Sequence, residues 1–172
     1  MGPPLPRVEI VDTSSAIKVK ELLPAIPDQQ RVFQEWQRRV RGGLMTYPSQ
    51  VVDELRRFAT GDLPALWAVS SQRYLKFSDP PPEYVRRVLR EASDVFKGRA
   101  RTVVDPNKTY EDADPYVVAE GLHLKDQGRA VVVITTDKFD TPSRISIVTA
   151  CQILKLPFQG TQDFLRSLGF SV

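Results

Sequence analysis

Residues 130–137 read AVVVITTD, an unbroken apolar run that ends in two hydroxyls and an acid. Residues 7–12, RVEIVD, have the same form and end in Asp12. Half-exposed strands alternate apolar and polar residues. Short continuous runs instead suggest strands buried on both faces, as in a parallel sheet covered by helices. The chain between the two runs carries mainly helical patterns. Asp28 is placed to cap a helix to about Arg41, with Val32, Phe33, Trp36 and Val40 on one face and Gly42 at its end. Leu44 to Tyr47 predicts a short strand, and Pro48 suits the first turn of a helix through about Ala59. Residues 63–73 are expected to be helical. Val85, Val88, Leu89, Ala92, Val95 and Phe96 predict an amphipathic helix ended by Gly98. Residues 101–104 read as a strand, Pro115 opens a helix to about Gly128, and Ile145 to Val148 read as a strand. A helix holding Cys151 and a last helix from Thr161 to Leu168 complete the chain. Alternation of this kind predicts an α/β domain with a central parallel sheet, and with no repeat or long linker residues 1–172 read as one domain.

Composition narrows the function classes. The 172 residues are 41% hydrophobic and 26% charged, ordinary values for a soluble globular protein. No apolar run approaches the roughly 18 residues of a membrane span, and the opening MGPPLPRVEIVD lacks the regions of a signal peptide. One cysteine, Cys151, excludes an intrachain disulfide and fits the reducing cytoplasm. With a single His123, read as a surface residue, it also argues against zinc. The net charge of +3 is too small to establish nucleic-acid binding by itself. Basic clusters at Arg38, Arg39 and Arg41, at Arg56 and Arg57, at Arg86, Arg87 and Arg90, and at Lys97, Arg99 and Arg101 fall mostly on polar helix faces. Neither a G-x-x-x-x-G-K-[ST] loop nor a G-x-G-x-x-G turn is present. VDTSS resembles the opening of a phosphoryl-aspartate enzyme, but Ser14 stands where that chemistry wants a second acid.

The acids carry the remaining chemistry. Asp12 and Asp137 each end a predicted parallel strand, at the edge of the sheet where open α/β folds bind ligands. Each is equally suited to cap a following helix. At 100° per residue, Glu54 lies at the border of its helix's buried face, while Asp53 points to solvent. Asp114 precedes Pro115, a favourable helix-capping arrangement, and Glu111 and Asp112 are alternatives at the same place. Carboxylates brought together repel one another unless a cation sits between them. Oxygen ligands without His or Cys select Mg²⁺ or Mn²⁺, ions that activate water for in-line attack on a phosphate.

The ordered motifs resemble a PIN-domain protein. VDTSS at 11–15, YPSQVVDEL at 47–55, ADPYVVAEG at 113–121 and VITTDKFD at 133–140 match the family's four acid motifs in order. The resemblance assigns the metal-binding and catalytic acids to Asp12, Glu54, Asp114 and Asp137, with Asp140 as a second contributor to the last motif. LPALWAVS at 63–70 and the ending RISIVTACQILKLPFQGTQDFLRSLGF are similar to a PIN-like family without an established function. The wider group includes VapC-type toxins, metal-dependent ribonucleases that are often dimers. The resemblance therefore implies a three-layer α/β/α sandwich and an Mg²⁺- or Mn²⁺-dependent endoribonuclease acting on RNA. It also implies an antitoxin partner and a homodimer. Residues 70–101 are longer and more basic than in compact PIN toxins and are expected to serve as a substrate arm, an antitoxin surface or plain core. Two other functions fit the same acids: a non-catalytic module binding RNA or protein, and a hydrolase of small phosphate esters.

Overall fold

The computed structural model describes residues 6–172. The opening residues 1–5 lie outside it, and with them the first five of the twelve residues read against a signal peptide. Four strands form the main sheet: β1 (Val8–Val11), β2 (Met45–Thr46), β5 (Val131–Thr135) and β6 (Phe158–Gly160). All neighbours are parallel, in the order β2-β1-β5-β6. Every residue of β1 and β5 is buried, as the two apolar runs require.

Side chains along a strand alternate between the two faces, and this fixes the layers. Ile10 and its register partner Val133 face α6 (Asp114–Asp126). There a Cβ on Gly121 would meet Ile10, Val133 and Leu156 at 3.4 Å, so glycine sets how closely the helix approaches. Glu9 points the other way and is gripped by Arg39 of α2 (Ile26–Arg41). The sheet thus lies between helices on both faces, a three-layer α/β/α sandwich. One hydrophobic core runs from Val8 to Leu165. Its aromatic centre joins Trp36, Tyr47 and Trp67, with ring centroids 5.1 Å apart for the two tryptophans and 4.9 Å for Tyr47 and Trp67. Tyr47 donates its hydroxyl to the Ala68 carbonyl at 2.7 Å, tying α4 (Leu63–Ser71) to the end of β2.

Several boundaries differ from expectation. Thr13–Leu22 forms helix α1 directly after β1. Helix α2 begins at Ile26 with Ala25 at its cap, so Asp28 lies in the first turn instead. Pro48 caps α3 (Ser49–Phe58) from outside, and Phe58 at its end is exposed. The predicted helix through Phe96 stops as α5 (Pro82–Glu91). Ser93–Phe96 and Arg99–Thr102 are instead β3 and β4, an antiparallel hairpin separate from the main sheet. Lys97 and Gly98 link them with φ of +50° and +75°, the signature of a tight type I′ turn. Val95 and Phe96 therefore face outward instead of joining the core. No strand forms at 145–148; Ser146 caps α7 (Ile147–Ile153) by accepting from the Thr149 N–H. The fourth strand of the sheet is β6, just before α8 (Thr161–Ser167). His123 is half-buried, its ring against Tyr84 and its Nε2 3.0 Å from Gln127.

Candidate functional site

The two acids that close the apolar runs meet because their strands are neighbours in register. Val11 pairs with Ile134, so Asp12 lies beside Thr135. The chain runs from β1 to β2 on one side and pairs with β5 on the other, which makes the carboxyl ends of β1 and β5 the switch point of the sheet. Asp12 caps α1 through the Ser15 N–H at 2.7 Å. Its other oxygen accepts from Ser14 and Thr135 hydroxyls, each at 2.7 Å. Capping and site placement are thus held by one side chain. Burial pushes the Asp12 carboxyl above its ordinary pKa against the pull of these hydrogen bonds.

Asp137 follows β5 and turns toward Arg144. The guanidinium grips both carboxylate oxygens at 2.8 and 3.0 Å, and the Ile147 N–H donates at 2.9 Å. Asp114 is the first residue of α6, and Ala113 holds the cap position. The sequence-level expectation that Asp114 caps this helix is replaced by a different arrangement: Asp112 accepts from the Asp114 N–H at 3.2 Å. The Asp114 carboxylate is left 3.7 Å from Arg144. Its acidity is held well down by burial, then by the negative Asp112, with Asp12 and Asp137 adding to it and Lys108 opposing. Asp12, Asp112 and Asp137 thus each lie within electrostatic reach of Asp114.

Glu54 is buried rather than at the border of its helix's core face. It accepts from the Ala113 N–H at 3.1 Å and lies 3.3 Å from Lys108 Nζ. The same ammonium binds Asp112 at 2.7 Å. Burial alone would lower the Lys108 pKa, but Asp114, Asp112 and Glu54 outweigh it and raise it. Arg144 is likewise held charged, chiefly by Asp137. The four assigned acids therefore converge, Asp112 joins them, and two cations of the chain itself lie among them. Asp53 is exposed, and Glu111 is exposed and bound to the Tyr116 hydroxyl. Asp140 stands apart, accepting from the Ser146 N–H and the Thr149 hydroxyl, both at 2.8 Å, where it shapes the entry to α7.

Hard carboxylate oxygens match Mg²⁺ or Mn²⁺ in donor type. Their present orientation does not match a metal centre. Among the described residues no group of three or more His, Cys, Asp or Glu side chains is arranged to hold a metal ion. The oxygens are committed to Lys108, Arg144, hydroxyls and backbone N–H groups. Lys108 and Arg144 escaped the sequence reading. A cation four residues before Asp112 and another seven after Asp137 are signals only once those acids are known to turn inward.

The match to known families covers residues 10–172. The chain belongs to the family described as Domain of unknown function (DUF4411). Within DUF4411 the matched region takes in all four acid segments, both internal cations and the C-terminal ending. No curated protein matches the chain. No helix among the described residues is long and apolar enough to cross a membrane.

Proposed function

We propose that this DUF4411 chain is a single PIN-like domain that binds RNA at the acid-lined edge of its sheet, without cutting it in the arrangement described here. The observation that carries this reading is the position of Lys108 and Arg144 among the acids. Five bare carboxylates would repel a phosphate. Two partly exposed cations at the same place offset part of that repulsion, and the Arg144 guanidinium, whose fork now rests on Asp137, has the planar donor geometry that also fits phosphate oxygens. They also stand where a divalent ion would need open oxygens. The three-layer fold is compatible with the PIN resemblance, and the lone buried Cys151 suits a reducing cytoplasm.

A second reading is favoured by the crowding of charge around Asp114, which burial and three neighbouring acids disfavour. In it the chain is an Mg²⁺- or Mn²⁺-dependent endoribonuclease of VapC-like type, the toxin of a toxin–antitoxin pair. An antitoxin protein and a second copy of the chain would be its partners. Asp12, Glu54, Asp114 and Asp137 would then hold the ion after Lys108 and Arg144 withdraw.

End-labelled RNA incubated with the protein in Mg²⁺, in Mn²⁺ and in chelator separates the two. RNA retained by the protein and left intact in all three supports the binding module. Cutting that needs metal and disappears in Asp12→Asn replaces it with the nuclease. Failure to retain or cut any RNA removes both.

A further inference from the structure

Phe139 exposes 73% of its surface, although the loop that carries it is fixed on both sides. On one side the Asp137 carboxylate accepts from the Ile147 N–H at 2.9 Å and its carbonyl from the Val148 N–H at 3.2 Å. On the other, Asp140 holds Ser146 and Thr149, and Arg101 of β4 donates to the Thr141 carbonyl at 2.6 Å. An exposed ring on a pinned backbone costs apolar hydration and loses little entropy on binding a flat ligand. Lys138 Nζ lies 5.2 Å from the ring centroid and forms no ion pair among the described residues.

The ring borders a cavity of about 660 Å³ whose lining includes Ser14, Thr135, Thr136 and Thr161 hydroxyls. That volume suits a nucleotide-sized ligand. Ser14 and Thr135 are the same two side chains that donate to Asp12, so the cavity wall is one hydrogen bond from the acid site. Hydroxyl edges, one aromatic face and one free ammonium are what a base with its phosphate requires. Glu21 and Asp163, also in the lining, are paired with Lys18 and Arg166.

We propose that Phe139 and Lys138 form a nucleotide-stacking subsite beside Asp12, which makes the domain select unpaired RNA over duplex. This rests on the RNA-binding reading above and names its specificity-determining residue. A duplex keeps its bases stacked on each other and offers the ring nothing, whereas a single strand presents base faces.

The test is fluorescence anisotropy with a labelled ten-nucleotide RNA and with its duplex, both in chelator so that binding is read without cutting. Phe139→Ala is expected to weaken single-strand binding about tenfold and leave duplex binding unchanged, from the roughly 1–3 kcal/mol of one stacked base. Phe139→Trp should restore the affinity and report stacking through quenching of its indole. Single-strand binding by Phe139→Ala equal to wild type, alongside a loss in Arg144→Ala, would sink the subsite while leaving RNA binding intact. A wild-type protein that ignores both RNAs overturns the subsite together with the RNA reading and hands the exposed ring to a protein partner.

Discussion

Glu120 on α6 is buried, and its Oε2 has no hydrogen-bond partner. Burial, helped by the negative Asp79, pushes its carboxyl up to about 8. A carboxyl whose folded pKa exceeds its unfolded one binds more protons folded than unfolded, so its stability contribution is present at low pH and lost as pH rises toward 8. At 1.36 kcal/mol per unit, the shift corresponds to a loss of up to roughly 4 kcal/mol between pH 5 and pH 8. Asp12 and Asp114 are shifted in the same direction, so the comparison with a variant isolates Glu120. In urea melts, Glu120→Gln should lose less stability than wild type between pH 5 and pH 8. Parallel pH profiles for the two proteins would show that Glu120 reaches a partner when ionised. Nothing in ADPYVVAEG announces this residue as buried, because the middle of the helix is enclosed on every side: Val117 to Leu122 are all buried. A stretch buried all round gives no polar face from which an odd carboxyl would stand out. Asp12 and Asp137 were legible for the opposite reason, since each ends an apolar strand and strand ends in parallel sheets share an edge.

Elements with strong, long periodicity were read correctly in type, and those that depend on local backbone geometry were not. In α2 the buried Val32, Phe33, Trp36 and Val40 recur at helical spacing and the helix forms as expected. Around Val95 and Phe96 the same spacing misleads, because two apolar residues after Ala92 continue the helical period by coincidence. What decides the segment is the turn at Lys97 and Gly98, where both residues take positive φ. Lys at the first of these positions lacks the Asn or Asp that marks such turns in a sequence. Gly98 has open space around a would-be Cβ, so a substitution there is strained through φ alone. Gly98→Ala is expected to destabilise the domain by about 1 kcal/mol, while Gly42→Ala, with φ of −79° at the end of α2, should change it by less than half as much. Urea midpoints for the two variants check this. An equal effect would mean that the hairpin opens independently of the domain, as its outward-facing Val95 allows.

At the scale of the molecule, four distant segments deliver acids to one place, and two further segments deliver the charges that neutralise them. The first set follows from sheet order and could be placed in advance; the second depends on loops whose paths no periodicity records. Lys108 bridges Glu54 and Asp112, and Arg144 bridges Asp137 and Asp114, so each cation holds two of the five acids and Asp12 is left to hydroxyls and a backbone N–H. A unit charge at about 4 Å interacts with roughly 4 kcal/mol at an effective dielectric of 20. Desolvation and rearrangement offset much of that, but a remainder of 1–2 kcal/mol per cation is worth about a tenfold change in affinity for a competing ion. Replacing the cations should therefore free the carboxylates to turn toward an ion. Calorimetric titration with Mn²⁺ is expected to give binding to Lys108→Met with Arg144→Met at least tenfold tighter than to wild type. Circular dichroism at the same pH checks that the double variant is folded, and Asp12→Asn added to it should weaken the gain. Equal Mn²⁺ affinity in wild type and a folded double variant would mean that the carboxylates cannot turn toward an ion even when freed. In that case the acids serve to position Lys108 and Arg144 for phosphate, and the binding-module reading stands without competition.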